Sequence, residues 1–527
     1  MNTFFQKIYT FSCKFIQIFC LLLTSLLFLG GFILTCYSVD MGSQLVLTRW
    51  DNPFWNLLWT ALFLGFMVLV SRIAHKWRAH ISKGPDPCTL LTVIVLLWYL
   101  AVGALMILYS KTVPAADAMS VYGAAESLAM GNTGVIHPTD SYLSYYPQQM
   151  GLLAFFEILI RFWRLLHIDL PAYHFIKCLY VLLACATIFL QKGTVRLLWE
   201  DRKAELFYLM VVGANLPFLM YTSFVYGEIP SFAAVSAGFY FLCRLHCRKP
   251  SRPRKVILCA LAALFFLSLG VTLRKNNLIL IIAVLIVTLL QGLRDRKKSL
   301  LIFTLLCALS SISILPLIQK GYELRAGSYL RSGVPAISYL AMGMQESSRG
   351  NGWYNGFNFY TYQDTDMDTD KTAELSRQAI RERLDYFRDN PGYAASFYLH
   401  KHLSQWADGT FASRQATLAT FGGRTEFFTS LYEGEYSRIF IEYSNIYQNV
   451  LYLGVFIFCI AAFKCSYKNG LPEALGLIGV IGGFLFHIFW EANSRYILLY
   501  SLLLMPYCAR GLSLLTGIKL NNKSRRS

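Results

Sequence analysis

The sequence predicts an all-α polytopic membrane protein with about twelve transmembrane helices, eleven to thirteen at the limits. Three observations carry this. Of 527 residues, 55% are hydrophobic and only 15% charged, against roughly 25% charged in soluble domains. The mean hydropathy is +0.45, more apolar surface than a soluble core can hide. Apolar runs of roughly 20 residues, enough to cross about 30 Å of hydrocarbon, recur along most of the chain.

The first run, residues 15–38, follows Lys7 and Lys14. It is too long for the core of a cleaved signal peptide and reads as an anchor. The remaining candidate spans are 54–74, 89–110, 173–191, 205–222, 226–246, 256–273, 276–293, 299–318, 448–464, 472–490 and 495–514. With the N-terminus inside, the connections at 75–83, 192–203, 247–255, 293–298 and 464–468 and the tail at 519–527 all fall inside. All are basic, as the positive-inside rule requires. The formal charge of +18 is therefore a topology signal, and the distribution of cations argues against nucleic acid as a partner. Residues 149–167 form another apolar run, but Glu157, Arg161 and Arg164 interrupt it. Counting it as a crossing would move three basic loops outside, so it is expected to be an amphipathic helix in the outer interface.

This threading divides the chain into N-terminal helices (1–110), an outer loop with interfacial helices (111–172), a transmembrane core (173–318), an extracytoplasmic domain (319–447), and C-terminal helices with a basic tail (448–527). The outer domain is expected to be mostly helical, with periodic apolar positions over 372–406 broken at Asn390-Pro391-Gly392. Its aromatic stretch at 350–362 suits sugar rings and the membrane interface equally. The thirteen cysteines lie mostly inside apolar runs, with none between 309 and 458. Neither a disulfide framework nor a zinc spacing is visible.

Charges near a bilayer are costly, so those that collect on one side are candidates for function. Asp117 follows the third span. Glu228 lies in the hairpin SFVYGEIPS, Arg274 and Lys275 in LRKNN, and Glu491 and Arg495 in WEANSRY. All fall outside in this topology. Carboxylates and cations on one rim could hold a phosphate and a base. Each also has a plain reading. Asp117 could cap a helix, Glu228 with Pro230 could shape a turn, Arg274 and Lys275 could anchor at the interface, and Glu491 with Arg495 could form an i,i+4 pair. The run Asp364, Asp366, Asp368, Asp370 alternates like a calcium loop. It has Thr369 where that loop needs Gly and Leu375 where it needs Glu, so a solvated loop is favoured. His400 and His402 point to different helix faces and suggest no metal site.

The early outer loop with Asp117, the segment YYPQQMGLLAFFEI, the stretch NLPFLMYTSFVYGEIPS and the closing FLFHIFWEANSRYILLYSLLLMPY together resemble the GT-C glycosyltransferases. More narrowly they resemble the protein O-mannosyltransferase, aminoarabinose transferase and bacterial mannosyltransferase-like branch. Residues 111–247 carry most of the likeness. The resemblance implies transfer of a sugar from a polyprenyl-phosphate donor to an extracytoplasmic acceptor, with inversion and with Asp117 as base. Some relatives have an adjacent Asp-Glu pair there, whereas this chain has Asp117-Ala118. Arg274, Lys275 and Arg495 are the candidates to meet lipid-phosphate charge, with Glu228, Glu491 and Tyr146 completing the substrate-binding set. No cofactor is required. A divalent metal would be an alternative to the cations, though no ligand set points to one. A lipid flippase, a polysaccharide polymerase or ligase, and a scaffold protein are the competing functions. Mid-span charges are sparse and no repeat is visible, which disfavours transport. The lack of outer sequons and outer cysteines favours a bacterial plasma membrane, and the basic inside segments put both termini in the cytoplasm.

Overall fold

The computed structural model describes residues 2–38, 45–80, 86–139, 141–247, 252–465, 467 and 469–517. The expected cytoplasmic tail and parts of three expected basic loops lie outside these residues. The chain opens with α1 (Asn2–Ile33), a two-stranded antiparallel hairpin of β1 (Leu34–Ser38) and β2 (Val46–Trp50), then α2 (Pro53–His80) and α3 (Pro87–Tyr109). The first span was expected over 15–38. Its last five residues are strand instead, in register with Leu34 opposite Trp50 and Cys36 opposite Thr48. β-Branched and aromatic side chains on both strands favour this pairing, which periodicity along one strand alone does not reveal.

A long connection follows, with α4 (Asp117–Ala129), α5 (Tyr142–Tyr145) and α6 (Met150–Leu165). The sixteen residues of α6 are short of a crossing. Its carboxylate faces inward. Glu157 is 3% exposed and bound by Arg161, Arg325 and the Tyr322 hydroxyl. Both arginines also donate to the Leu128 carbonyl at the end of α4. The net effect of these donors holds the Glu157 carboxyl below its usual range, although burial alone would raise it.

The core comprises α7 (Ala172–Trp199), α8 (Arg202–Gly213), α9 (Leu216–Tyr221), α10 (Glu228–Cys247), α11 (Pro253–Leu273), α12 (Leu278–Asp295) and α13 (Lys298–Ala326). The expected span 205–222 is thus broken into two helices. Asn215 caps the second by accepting from the Phe218 amide at 3.0 Å, and Pro217 cannot continue the first ladder. Ten described helices are long and apolar enough to cross a membrane. The other two expected spans are the α8–α9 pair and α10, whose Glu228, Ser231, Ser236 and Arg244 dilute its apolar run.

The long segment after α13 holds α14 (Ala336–Gly343), α15 (Phe357–Asp364), α16 (Thr369–Asp389), α17 (Pro391–Trp406), α18 (Ser413–Ala416) and α19 (Glu426–Glu433). The break between α16 and α17 falls at Asn390, with Pro391 opening the next helix. Asp368 caps α16, accepting from the Asp370 and Lys371 amides. The chain closes with α20 (Glu435–Cys465), α21 (Leu475–Phe489) and α22 (Ile497–Leu515). The helix expected from 448 therefore begins at Glu435.

Of the most apolar stretch of α22, 83% is buried inside protein, against 11% for α13 and 17% for α2. The last helix is central and those two are peripheral. Pro506 deprives the Leu502 carbonyl of its helical donor, and Gln191 of α7 supplies one at 3.3 Å. On the face with the basic connections, Glu205 is buried between Arg196 and Arg202, and Arg202 also meets Asp86. Several cations that read as topology signals thus also hold helix ends together.

Candidate functional site

On the face carrying the long connections, the ends of α10, α11 and α22 meet. Arg274 leaves α11 in extended backbone, φ −148°, and turns back over the Tyr226 ring at 4.9 Å. Two close approaches require glycine here. A Cβ at Gly227 would lie 2.5 Å from Arg274 Cδ and 2.9 Å from the Leu273 carbonyl. One at Gly151 would lie 2.0 Å from the Thr272 carbonyl. Gly151 therefore lets α6 rest directly on the turn that aims Arg274.

Arg495 occupies a single 3-10 turn, Ser494–Tyr496, that opens α22. The Asn493 side chain accepts from its amide at 2.9 Å. Its guanidinium lies 5.6 Å from the Tyr226 ring centroid and 5.8 Å from that of Phe224. Between the two arginines sits Glu228, the first residue of α10. Its Oε1 is 2.9 Å from Arg274 Nη2 and 3.7 Å from Arg495 Nε. These are ion-pair distances without the alignment of a hydrogen bond, since both Glu228 oxygens and Arg495 Nε have no hydrogen-bond partner.

These groups head a small, partly open pocket. Its polar end is Glu228, Arg274, Asn276, Asn277 and Arg495, and its walls are Phe218, Ile229, Phe232, Leu498, Leu499 and Leu502. The result is a charged head on an apolar trough between α10 and α22.

Glu491 and Asp117 stand beside this head. Glu491 is 7% exposed and accepts from the Tyr496 hydroxyl at 3.3 Å. Burial pushes its carboxyl up to about 7, against the opposing pull of Arg495 and with help from the negative charge of Asp117. Asp117 is exposed at the first turn of α4, where the helix end favours a carboxylate. Ala116 before it holds φ +48° and ψ −130°, a region non-glycine residues enter at a cost of about 1–3 kcal/mol. The charge of Asp117 reaches Tyr142, Tyr146, Tyr354 and Glu491. Tyr146 is half-buried, and burial followed by the charges around it raises its phenol.

Six of the seven sequence candidates, Asp117, Tyr146, Glu228, Arg274, Glu491 and Arg495, thus share one neighbourhood. Lys275 does not. It is exposed at the start of the turn Lys275–Asn277, while Asn276 and Asn277 face the pocket. Nor do Glu491 and Arg495 form a helical i,i+4 pair. The chain between α21 and Ser494 is not helical, and Arg495 takes Glu228 as its ion partner.

Several residues escaped sequence reasoning. Gln149 donates to the Tyr226 hydroxyl at 2.6 Å. Asp408 is buried, and burial raises its carboxyl. It accepts from Ser494 Oγ at 2.6 Å, Thr410 Oγ1 at 2.6 Å, the Thr410 amide at 2.9 Å and the Ala412 amide at 3.2 Å. This ties the loop after α17 to the turn that carries Arg495. Lys401 is fully buried and donates to the Gly343 and Ile488 carbonyls at 2.5 and 2.9 Å. Burial lowers its ammonium to about 7. One signal for Lys401 was present: it lies four residues after Phe397 and three before Ser404, so a cation sits on the buried stripe of α17. His402, pushed down to about 4 by burial, stacks on Phe484 at 4.8 Å, and His400 is exposed.

A family model described as a conserved hypothetical integral membrane protein matches residues 8–509. This chain belongs to that family. The match runs through every element of the site, from Asp117 to Arg495. No curated protein is similar enough in sequence to match this family member. Among solved structures it is similar to the archaeal oligosaccharyltransferase AglB from Archaeoglobus fulgidus, in complex with an inhibitory peptide and a dolichol-phosphate, at 12% identity and a TM-score of 0.42. It is also similar to the apo form of the Archaeoglobus fulgidus oligosaccharyltransferase, at 13% identity and a TM-score of 0.45. Each comparison covers 81% of this chain and 50% of the other. The chain thus spans about half the length of those neighbours.

Proposed function

We propose that this chain is a membrane glycosyltransferase of GT-C type, moving a sugar from a polyprenyl-phosphate donor to an acceptor hydroxyl on the extracytoplasmic side, in a bacterial plasma membrane with both termini cytoplasmic. The observation that carries the reading is the pocket of Arg274, Arg495 and Glu228 on an apolar trough. A phosphate on an isoprenoid chain has the same division into charged head and apolar tail. Asp117, exposed beside that head, takes the proton of the acceptor hydroxyl as general base. The acceptor oxygen attacks the anomeric carbon from the face opposite the phosphate. The carbon–oxygen bond to phosphate breaks with its electron pair going to the phosphate, so the configuration inverts. The two arginines meet the charge that develops on the leaving group, and Tyr146 and Glu491 are the further residues assigned to substrate binding. No step calls for a metal.

The test is transfer of labelled sugar from membrane-embedded polyprenyl-phosphate donors to cell-envelope acceptors, with Asp117→Asn compared at matched expression. The expected loss is about 10²–10⁴-fold, the usual contribution of a general base. Transfer that survives the substitution removes Asp117 from the base role. Absence of transfer by the unaltered protein across a broad donor panel favours a flippase or a polysaccharide ligase instead.

A further inference from the structure

Glu228 poses a physical question that the lipid-phosphate reading does not answer. A pocket meant only to hold phosphate would leave its two arginines free, yet a buried carboxylate lies between them. Its Oε1 is within ion-pair distance of both, at 2.9 and 3.7 Å. Neither of its oxygens is engaged by a hydrogen-bond donor, and Arg495 Nε is buried without an acceptor. Glu228 therefore subtracts charge from the head of the pocket without consuming its directional donors. Together Arg274, Arg495 and Glu228 carry a net charge of one positive unit rather than two.

That value matters because the reaction changes the charge of its own ligand. A sugar phosphodiester carries one negative charge. Once the bond to the sugar breaks, the lipid is left as a phosphomonoester, which carries about −1.5 to −2 at neutral pH. We propose that Glu228 is a specificity-determining residue that suits the arginine pair to the singly charged phosphodiester and mismatches it to the more highly charged monoester, so that transfer itself loosens the lipid product. The inference rests on the lipid-phosphate reading above. Asp117 and Glu491 lie nearby, and where they are ionised they bear, like Glu228, more heavily on the more highly charged ligand.

The comparison between the two ligands needs no assumed dielectric. Coulomb energy scales with ligand charge at fixed geometry. Removing the charge of Glu228 must therefore tighten the monoester up to twice as strongly as the diester, on a logarithmic scale. If the diester gains on the order of tenfold, the monoester gains up to about a hundredfold.

The experiment uses the full chain in lipid nanodiscs at pH 8. Three probes are titrated: a polyprenyl phosphate, its methyl phosphodiester, and inorganic phosphate. Unaltered protein is compared with Glu228→Gln, Glu228→Asp and Arg274→Gln. The expected result is that Glu228→Gln tightens both lipids, the monoester by the larger factor, and that Glu228→Asp restores the original ratio because it restores the charge. Arg274→Gln should shift the ratio the opposite way, and it carries the test alone if Glu228→Gln does not fold. Equal shifts for the two lipids, or weaker binding of both by Glu228→Gln, overturn the inference while leaving the lipid-phosphate reading standing. Absence of lipid binding by the unaltered protein overturns both. Inorganic phosphate binding as tightly as the lipid monoester also overturns both, because the ligand is then free phosphate.

Discussion

Glu491→Gln gives a test of the site that needs no substrate. The carboxyl of Glu491 is 7% exposed, and burial pushes it up to about 7 from an ordinary value of 4.5. In the unfolded chain it ionises near the ordinary value. A raised folded pKa means that the folded protein binds more protons between these limits. The stability due to this group is therefore fully present below about pH 4.5 and is lost as pH rises through about 7. A displacement of 2.5 pH units corresponds to about 3 kcal/mol at roughly 1.4 kcal/mol per unit. Glutamine mimics the neutral carboxyl and keeps an oxygen to accept from Tyr496. Glu491→Gln should accordingly match the unaltered protein at pH 4.5 and exceed it by about 3 kcal/mol at pH 8. Lys401 has the opposite sign, because its folded pKa is lowered to about 7; its contribution is present above roughly pH 10.4 and is lost as pH falls to about 7. Apparent Tm of detergent-solubilised protein, read by tryptophan fluorescence across pH 4.5–8, measures the difference. A substitution that destabilises equally at both ends of this range refutes the reasoning, since it would mean that Glu491 is held as a fully satisfied carboxylate.

Other perturbations follow from the packing around the arginines. Gly151→Val should cost about 3 kcal/mol or more, because its Cβ would fall 2.0 Å from the Thr272 carbonyl and neither backbone can yield freely; thermal denaturation checks it. Gly227→Ala meets a side-chain carbon first, so its main expected effect is displacement of Arg274, read as weaker binding of polyprenyl phosphate with a smaller change in Tm. Ser494→Ala removes one hydrogen bond to the buried Asp408 carboxylate and should cost about 1.5–3 kcal/mol. In a double-mutant cycle with Asp408→Asn, the two effects should not add. Glu157→Ala leaves Arg161 and Arg325 without their carboxylate. Because those arginines are 48% and 36% exposed, the expected cost is about 2 kcal/mol rather than the 3–5 kcal/mol of a fully buried pair. A Tm unchanged by Glu157→Ala would show that α4, α6 and α13 are held by apolar packing alone.

The sequence alone determined that this is a multi-pass helical membrane protein, because hydropathy is a sum over neighbouring residues and needs no tertiary contact to be read. It also marked the charged hairpins at Glu228, Arg274 and Glu491–Arg495 as places to look, since a charge beside an apolar run is visible locally. It misjudged elements whose form depends on a distant partner. Residues 34–38 became a strand because residues 46–50 lie opposite. Whether a charged residue faces a pocket or solvent is likewise undecided by its neighbours in sequence. Arg274 and Lys275 are adjacent and equally basic, yet only the backbone turn permitted by Gly227 and Gly151 swings the first over Tyr226 and leaves the second exposed. Asp408 and Lys401 brace the site only through Ser494 and Ile488, 86 and 87 residues further along the chain. Local chemistry supplied the candidates. Their convergence, and the carboxylate set between two arginines, required the tertiary fold, because electrostatic energy depends on distances through space that sequence separation does not encode.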